Sequence, residues 1–579
     1  MRAVSFELAL KPVCVAVFVL GSGISVAQQD AVRLAPIVVT PTRVEQPGFD
    51  LPTAINSIDK ETIQEQRQGV NISEALVRVP GTVVQNRETF SQEQQIIVRG
   101  FGARAGFGVR GVKLLADGIP ASTPDGQRGT GLFDLESAKS IIEVLRGPFS
   151  ALYGNHSGGV VQVFTEDGPD RPTITPYCSF GSDETWRAGL KFGGQLGDLN
   201  YIANASHFET DGYRDHSSAI KDQFNSKFKV KLSDSTSLTF IINYINQPDN
   251  EDPLGLNATQ VQQNRKQAIP AAYQFDTGRS LSNVQTGAVI EHALTDQDKL
   301  RFIAYVGNRK NDGNIALGTN TITTSGGVTV LDRDFYGLGT RWTHGTDLLS
   351  RPLTITSGAD YDSATDARKG YVNNNGVATF LKRDEDDSAA SAGGYVQAEW
   401  AFAEQWSASA GLRYTKVDFE SDDHYVCRAS GNASALPICP GIVAGSGINP
   451  DDSGTLSFDA WTPVAGLVLK ATPTWNIYAN VGKSFETPTL IELAYRPDGS
   501  PGLNFGMQPS TSVHYEVGTK IFAGTSTLVE MAVFQIDTKK EIVVASNIGG
   551  RQAFKNAGDT QRRGVELSAN SHWGHGFTT

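Results

Sequence analysis

From about residue 171 onward, apolar and polar side chains alternate in short segments. In Phe224–Leu232 one face carries Phe224, Phe228, Val230 and Leu232, and the other Asn225, Lys227, Lys229 and Lys231. Trp406–Thr415 sets Trp406, Ala408, Ala410, Leu412 and Tyr414 against Ser407, Ser409, Gly411, Arg413 and Thr415. Val513–Ile521 sets Val513, Tyr515, Val517, Thr519 and Ile521 against His514, Glu516 and Lys520. A period of two marks extended strands with one apolar and one polar face. The connections alternate in length as well. Gly197-Asp198, Ser233–Ser235, Ala403–Gln405, Ala471–Thr474 and Ala523–Thr525 read as tight turns, while long connections are expected at about 247–280, 310–330, 362–391, 420–457, 485–510 and 539–559. A soluble sandwich has no reason to alternate in this way, whereas a transmembrane barrel does, with short turns on one side and long loops on the other. The pattern predicts a mainly β fold, a transmembrane antiparallel β-barrel of about sixteen strands with its apolar face on lipid and its polar face around a lumen.

Residues 36–168 have a different texture, that of a mixed α/β domain. Thr62–Val79 has a helical rhythm through Ile63, Val70, Ile72, Ala75 and Leu76, ended by Pro80-Gly81. Short apolar runs at Gln95–Val98, Val112–Leu115, Ile141–Leu145 and Val160–Phe164 predict short strands. Residues 1–27 read as a secretory signal, with basic Arg2 and Lys11, the apolar run Val13–Leu20 and the small-residue site Ser25-Val26-Ala27. No apolar run is long enough for a membrane-spanning helix. The 50 Lys and Arg against 62 Asp and Glu leave a net charge of −12, which argues against nucleic acid as a partner. Four cysteines in 579 residues exclude a disulfide scaffold, and none falls in a C-x-x-C pair.

Several motifs carry a resemblance. Pro36-Ile37-Val38-Val39-Thr40 lies just after the signal, and Ile97–Gly102, Leu114–Pro120, Ile142–Pro148, Ala151–Gly154 and Ser157–Val160 follow. Ser484–Thr489 and Tyr515–Gly518 stand in the region of strands. Together they resemble the TonB-dependent outer-membrane receptors over nearly the whole mature chain. Gly212–Ser217, Arg368–Tyr371 and Gly502–Gly506 are most similar to the YncD-like branch of that family. The resemblance implies a periplasmic tail at 28–44 holding a TonB box (about 36–41: Ile37, Val38, Val39, Thr40), a plug at 45–168 inside the lumen, and a barrel from 171 to 579. The β-branched run Ile37–Val39 suits addition as a strand to a partner's sheet edge. Only Gln28–Ala35 precede the box, so transport without transcriptional signalling is expected. The family barrel has about twenty-two strands, so this chain is expected to lack the C-terminal strands.

What the resemblance implies is transport and not catalysis. The expected cargo is a scarce chelate, a ferric siderophore first, and otherwise another metal complex, a vitamin or a saccharide; a passive porin is the less favoured alternative. The implied partners are TonB with its inner-membrane energising complex, outer-membrane lipid and the small ligand; no cofactor or resident metal is implied. Arg99 and Arg146 in the plug motifs are expected to pair with wall glutamates. Glu516 follows from a family motif, and Glu566 from its inward position between Val565 and Leu567. For ligand contacts the candidates are Arg104, Phe107 and Arg110 in one plug loop and Asp125, Gln127 and Arg128 in another, with Tyr213, Arg214, His216, Tyr371 and Arg496 in or near long outer loops. Arginine forks there suit an anionic chelate. Cys427 and Cys439 share one long loop and can form a disulfide after export, while Cys178 has no evident partner.

Other motifs are weaker. Gly482-Lys483-Ser484 lacks the first glycine of a phosphate loop, with Ile477 in its place. Gly100-x-Gly102-x-x-Ala105 leads into a loop, not a helix. The acidic run Asp384–Asp387 reads as a solvated loop, and His156 as a surface or plug-packing residue rather than a metal ligand. The absence of histidine between 485 and 513 disfavours haem as cargo.

Overall fold

The computed structural model describes residues 38–39, 46–58, 60–64, 68–86, 89–106, 108–127, 133–318, 326–441, 447–498, 503–548, 551–573 and 577–578. The signal segment 1–27, Ile37, Thr40, Phe107 and Arg128 lie outside these residues.

The N-terminal unit is built on a five-stranded sheet in the order Ile55–Ile58, Ala138–Arg146, Gly159–Thr165, Val112–Ala116, Ile119–Pro120. Val112–Ala116 and Gly159–Thr165 run parallel, and the other neighbours are antiparallel. A separate hairpin pairs Thr82–Gln85 with Gln95–Val98. The unit has its own core, in which Ile63, Ile72, Leu76, Ile96, Val112, Leu114, Ile142 and Val161 are buried together. The single helix expected over Thr62–Val79 is instead two short ones, Lys60–Gln64 and Ser73–Leu76. Gly69 lies between them at φ +66°, a left-handed conformation that an α-helix does not contain. The Glu74 carboxylate accepts the backbone N–H groups of Gly69, Val70 and Asn71 at 2.8–3.0 Å, so the chain re-enters the second helix through a polar turn. The apolar spacing across this break is that of a folded-over segment, not of one helix face.

Residues 173–578 form one antiparallel sheet of seventeen strands, in sequence order, running from Thr173–Phe180 to the two-residue Phe577–Thr578. Among the described residues its first and last strands each have one neighbour. Burial is inverted relative to a soluble protein. On Ser510–Ala523, Tyr515 and Val517 are 48% and 57% exposed, whereas His514 and Glu516 are 2% and 3% exposed. The same inversion holds for Trp406 and Leu412 against Arg413 and Thr415, and for Leu232 against Asn225 and Lys227. Apolar groups facing outward are stable only against lipid, and the polar face encloses the N-terminal unit. Wall side chains reach that unit from all round. Arg187, Lys221, Gln285, Arg413, Asn480 and Lys520 donate to the main-chain carbonyls of Gln68, Val70, Pro120, Leu152, Pro52 and Gly48 at 2.6–3.3 Å. The sheet therefore wraps a plug, and the bore is filled by the chain's own first folded unit.

The turns at one end are tight: 197–198, 234–235, 349–350 and 473–474 are two-residue connections. Most long connections fall at the other end as expected, with one correction. The segment expected to be a loop at 362–391 is strand throughout except for a turn at Asn375-Gly376, joining Arg351–Asn374 to Val377–Trp400. Both turn residues have positive φ, +50° and +86°, the geometry that asparagine-glycine supplies in a two-residue hairpin. Each strand has 24 residues, roughly 80 Å of extended chain at about 3.3 Å per residue, far more than a bilayer needs. In the outer half the buried face carries polar and charged side chains, Asp366, Asn373, Lys382, Glu385 and Asp387, so hydrophobic alternation fades while the backbone ladder continues. Cys427 and Cys439 are joined by a disulfide within the next long loop, and Cys178, half-buried, is in no disulfide among the described residues.

This arrangement makes substitution costs depend on depth. Val517→Arg, near the middle of an exposed face, should lower stability in phospholipid vesicles by about 2–4 kcal/mol, and Leu232→Arg, next to the turn at 233–236, by about 0–1 kcal/mol. Urea unfolding followed by tryptophan fluorescence measures both; equal losses at the two positions would contradict the assignment of the exposed face to lipid.

Candidate functional site at the plug and barrel interface

Two clusters of buried charge join plug to wall. The first is centred on Arg99, which sits in a tight turn at φ +49° after the strand Gln95–Val98. Its Nη1 donates to Glu516 Oε2 at 2.6 Å, while Nε and Nη2 grip both oxygens of Glu566 at 2.9 and 2.7 Å. Arg146, at the end of the strand Ala138–Arg146, donates from Nη1 to Glu566 Oε2 at 2.6 Å and to the Pro80 carbonyl at 2.6 Å; its Nη2 donates to Asn56. Glu516 Oε1 accepts from the Ala54 N–H at 3.0 Å and from the Tyr478 hydroxyl at 2.9 Å. The Arg99 guanidinium also lies 4.2 Å from the centroid of the Phe534 ring. Gly81 explains how Glu566 approaches so closely. A Cβ there would fall 1.9 Å from Glu566 Oε1, and the φ of +70° is one that side chains rarely adopt. The breaker pair Pro80-Gly81 thus ends a helical segment and makes room for a wall carboxylate.

The second cluster lies nearer the long loops. Arg104 Nη2 meets Glu486 Oε1 at 2.5 Å and its Nε meets Glu492 Oε1 at 2.6 Å, while Arg110 Nη1 meets the same Glu492 oxygen at 2.9 Å. Glu492 caps the short helix Leu490–Leu493: its Oε2 accepts the Thr489 N–H at 2.9 Å, and the Thr489 hydroxyl accepts the Glu492 N–H. Burial alone would raise the Glu492 carboxyl pKa, but Arg104 and Arg110 outweigh it and hold it below its ordinary value. Asp125 Oδ2 accepts the Leu490 N–H at 3.2 Å, and the Asn155 carboxamide exchanges hydrogen bonds with Thr487, both at 2.7 Å. The segment 486–492 is therefore tied to three separate plug loops.

The structure brings Arg99, Arg146, Glu516 and Glu566 together and places the ligand candidates unevenly. Arg104 and Arg110 are directed into the wall rather than toward an outer surface, because Glu486 and Glu492 lie within reach; neither glutamate is among the residues expected from sequence, although Thr489-x-x-Glu492 reads as a capping box. Asp125 is likewise engaged, accepting from the Thr123 hydroxyl at 2.6 Å as well as from Leu490. Arg214 donates to the carbonyls of Pro253, Leu254 and Gln267 and so staples an outer loop. His216 hydrogen-bonds the Thr277 carbonyl at 2.9 Å, and its ring lies 5.2 Å from that of Tyr273, tilted by 49°. Tyr371 pairs with Val328 and Leu381 in the long hairpin. Tyr213 and Arg496 are exposed, and the Gln127 Oε1 is buried without a hydrogen-bond partner. Of the segment expected to bind TonB, Val38 and Val39 are described; they pair antiparallel with Pro47 and Gln46.

With this geometry in place, comparison with known proteins decides the family. Residues 223–579 match the TonB dependent receptor-like beta-barrel family, and residues 47–161 match the TonB-dependent Receptor Plug Domain. The chain belongs to the TonB-dependent receptors. It is 21% identical over 546 residues to the vitamin B12 transporter BtuB of Vibrio vulnificus, covering 92% of this chain and 75% of that one. It is 25% identical over 465 residues to the metal-pseudopaline receptor CntO of Pseudomonas aeruginosa, covering 74% of this chain and 60% of that one. Among solved structures it is similar to the unliganded ferric citrate transporter FecA, with a TM-score of 0.70 at 19% identity over 90% of this chain and 75% of that one. The closed form of the ferric-catecholate import receptor Fiu of E. coli K12 gives 0.70 at 17% identity over 93% and 80%. TonB-dependent receptors are transporters of the Gram-negative outer membrane, not enzymes, and the inverted burial of this receptor agrees with that setting.

Removing one partner of a buried ion pair leaves the other charge stranded, which costs about 3–5 kcal/mol. Arg99→Ala should therefore loosen the plug by about that amount, seen as faster hydrogen exchange across 54–58 and 142–146 while the barrel ladder stays protected. Replacing Arg99 and Glu516 together by Leu and Gln, which leaves Arg146 paired with Glu566, should restore much of the protection; a double variant as loose as Arg99→Ala would show that paired charge is not what holds the plug.

Proposed function

We propose that this receptor imports a scarce anionic chelate, of the ferric-siderophore type, by TonB-driven remodelling of its plug. On this reading residues 1–27 are an export signal, 28–44 a tail carrying the TonB-binding segment Ile37–Thr40, 45–168 the plug and 171–579 the barrel. The observation that carries the proposal is the second charge cluster. Arg104, Arg110, Asp125 and Asn155 of the plug hold one outer segment, 486–492, so a ligand resting on the apical loops acts on the same bonds that dock the plug. A ligand shifts an equilibrium only through differential affinity, and a network of this kind supplies it when the ligand's oxygens compete for Arg104 or Arg110. Gln127, Tyr213 and Arg496 are the contacts we assign first, with Phe107 and Arg128 as further candidates in the same two plug loops. The tail explains energy supply. An outer membrane holds no nucleotide pool, so work has to arrive mechanically, through strand addition of Ile37–Val39 to TonB.

Support for an iron chelate comes from the likeness to FecA and Fiu, whose names specify ferric citrate and ferric catecholate. BtuB and CntO, whose names specify vitamin B12 and metal-pseudopaline, are similar to this chain at comparable identity, so the cargo is stated as a class. Deleting residues 36–41 should abolish growth of a receptor-deleted strain on ferric citrate, ferric catecholates or ferric hydroxamates as sole iron source, while the purified variant still quenches its tryptophan fluorescence with the active chelate. Growth at the parental rate after the deletion would sink energised import in favour of passive flow, and growth rescue by cobalamin alone would replace the cargo.

A further inference from the structure

The plug is not held equally on all sides. Against the wall formed by 475–573 it makes the two ion-pair clusters, and against 187–227 it makes close polar contacts such as Lys191 to Glu166 at 2.8 Å and Lys227 to Asp167 at 2.7 Å. Between these walls, facing the strands Asp298–Asn314, Val328–Leu348, Arg351–Asn374 and Val377–Trp400, lies a cavity of about 140 Å³. Its plug side includes Lys113 and His156, and its wall side includes Arg301, Asp362, Ser391 and Arg413. The ion pair crossing it, Lys113 to Asp362, is stretched to 3.9 Å, against 2.6–2.7 Å in the Arg99 cluster, although the same strands also hold Glu93 through Arg309 at 2.6 Å and pack Tyr305, Phe335 and Ala364 against Ile119.

Three features give this cavity a direction and a preference. Its upper end lies under the apical loop: Pro124 lines it, and a Cβ on Gly126 would meet His156 Nε2 at 3.9 Å. Its lower end shares Glu291, Arg301 and Arg341 with an open depression among the short turns at 233–237, 293–299 and 343–354, which is the inner mouth of the barrel. It carries four cations, Lys113, Arg301, Arg341 and Arg413, against three carboxylates, Glu291, Asp360 and Asp362, on a chain whose net charge is −12. Beside them His156 is 1% exposed, and neither ring nitrogen has a hydrogen-bond partner. A buried polar group without a partner is unusual, and it is explained when a transient occupant supplies the missing bond. Burial, with Lys113 and Arg413 close by, holds His156 neutral, well below its ordinary pKa, so it offers one N–H donor to an incoming oxygen.

We propose that this crevice is a transit site for carboxylate- or sulfonate-type anions, through which cargo passes from beneath the apical loop to the inner mouth while the plug stays anchored on the opposite wall. At rest the cavity holds only a few waters, at about 30 Å³ each, and so admits a small anionic group; a whole chelate passes when the plug swings away from Asp362. The proposal rests on the import function above, but its test needs neither TonB nor a cargo, so the two fail separately.

The test is charge-selective thiol labelling of the full receptor in detergent, with Cys178→Ser as background. Ser391→Cys lines the cavity, and Ser137→Cys, also buried, lies on the plug against the tightly packed wall, where its hydroxyl bonds Asn225. Both changes are nearly isosteric, and far-ultraviolet circular dichroism with heat-modifiable migration in gels selects folded protein. Ser391→Cys should react about fivefold faster with anionic sulfonatoethyl methanethiosulfonate than with its trimethylammonium counterpart at low salt, and Arg341→Gln should shrink that ratio. Ser137→Cys should stay unmodified by both reagents. Equal rates for the two reagents at Ser391→Cys, a cation preference, or labelling of Ser137→Cys as fast as Ser391→Cys would each overturn the proposal.

Discussion

The structure depends on holding a folded unit inside a cylinder whose inner face is polar. Lipid on the outside claims the apolar face of every strand, so the hydrophobic effect is largely spent on the exterior and cannot be the main bond between plug and wall. What remains is charge and hydrogen bonding in a space that excludes most water. Arg99, Arg104, Arg110 and Arg146 carry that load on one side, each against a glutamate of the wall. Such pairs are costly to break singly, yet they add little net stability over an apolar contact of the same shape. They suit a joint that must stay shut at rest and open under force, because hydration recovers much of their energy once they separate.

The plug's own cohesion is of another kind. Its core of aliphatic side chains, from Ile63 to Val163, is nearly self-contained, with Ile245 the wall residue that joins it. Apolar contact with the wall is limited to patches such as Ile119 against Ile241, Tyr305, Phe335 and Ala364, and Phe149 and Leu152 against Val464, while ion pairs and hydrogen bonds make the other contacts described. Pulling on the tail loads the polar contacts first, since they are local and few at any one strand, while the core resists as a unit. The Thr489–Glu492 cap carries this division to the outer loops, because one carboxylate both ends a helix and receives two plug arginines.

Much of this was legible in the chain. Period-two alternation named the strands and their facing, and Glu566 could be placed inward from its two apolar neighbours alone. What misled has physical causes. The 362–391 segment reads as loop because the buried face of its strands is polar, with Asp366, Asn373, Lys382, Glu385 and Asp387 along it, and the Asn375-Gly376 turn is a local signal that outweighs the missing alternation. The break at Gly69 is invisible to helical periodicity because buried residues on both sides of a fold-over keep the spacing of one face. Arg104 and Arg110 read as ligand residues because exposed loops often carry function. Their partners, Glu486 and Glu492, are some 380 residues away in sequence, and no local pattern links them.

Anchoring on one wall and slack on another is also what transport through a filled bore demands. A plug gripped evenly would have to leave the barrel whole, breaking both clusters and every wall contact together. A plug whose arginine–glutamate clusters lie on one side can tilt about them, and the contacts opposite, Arg309 to Glu93 and Lys113 to Asp362 among them, are the ones that yield. The weakest spanning ion pair, Lys113 to Asp362, lies on that opposite side, in the crevice that already joins the apical loop to the inner mouth. The cationic excess there is the one an anionic cargo would select. Strength of docking and ease of passage are therefore not in competition in this molecule, since they are assigned to different walls.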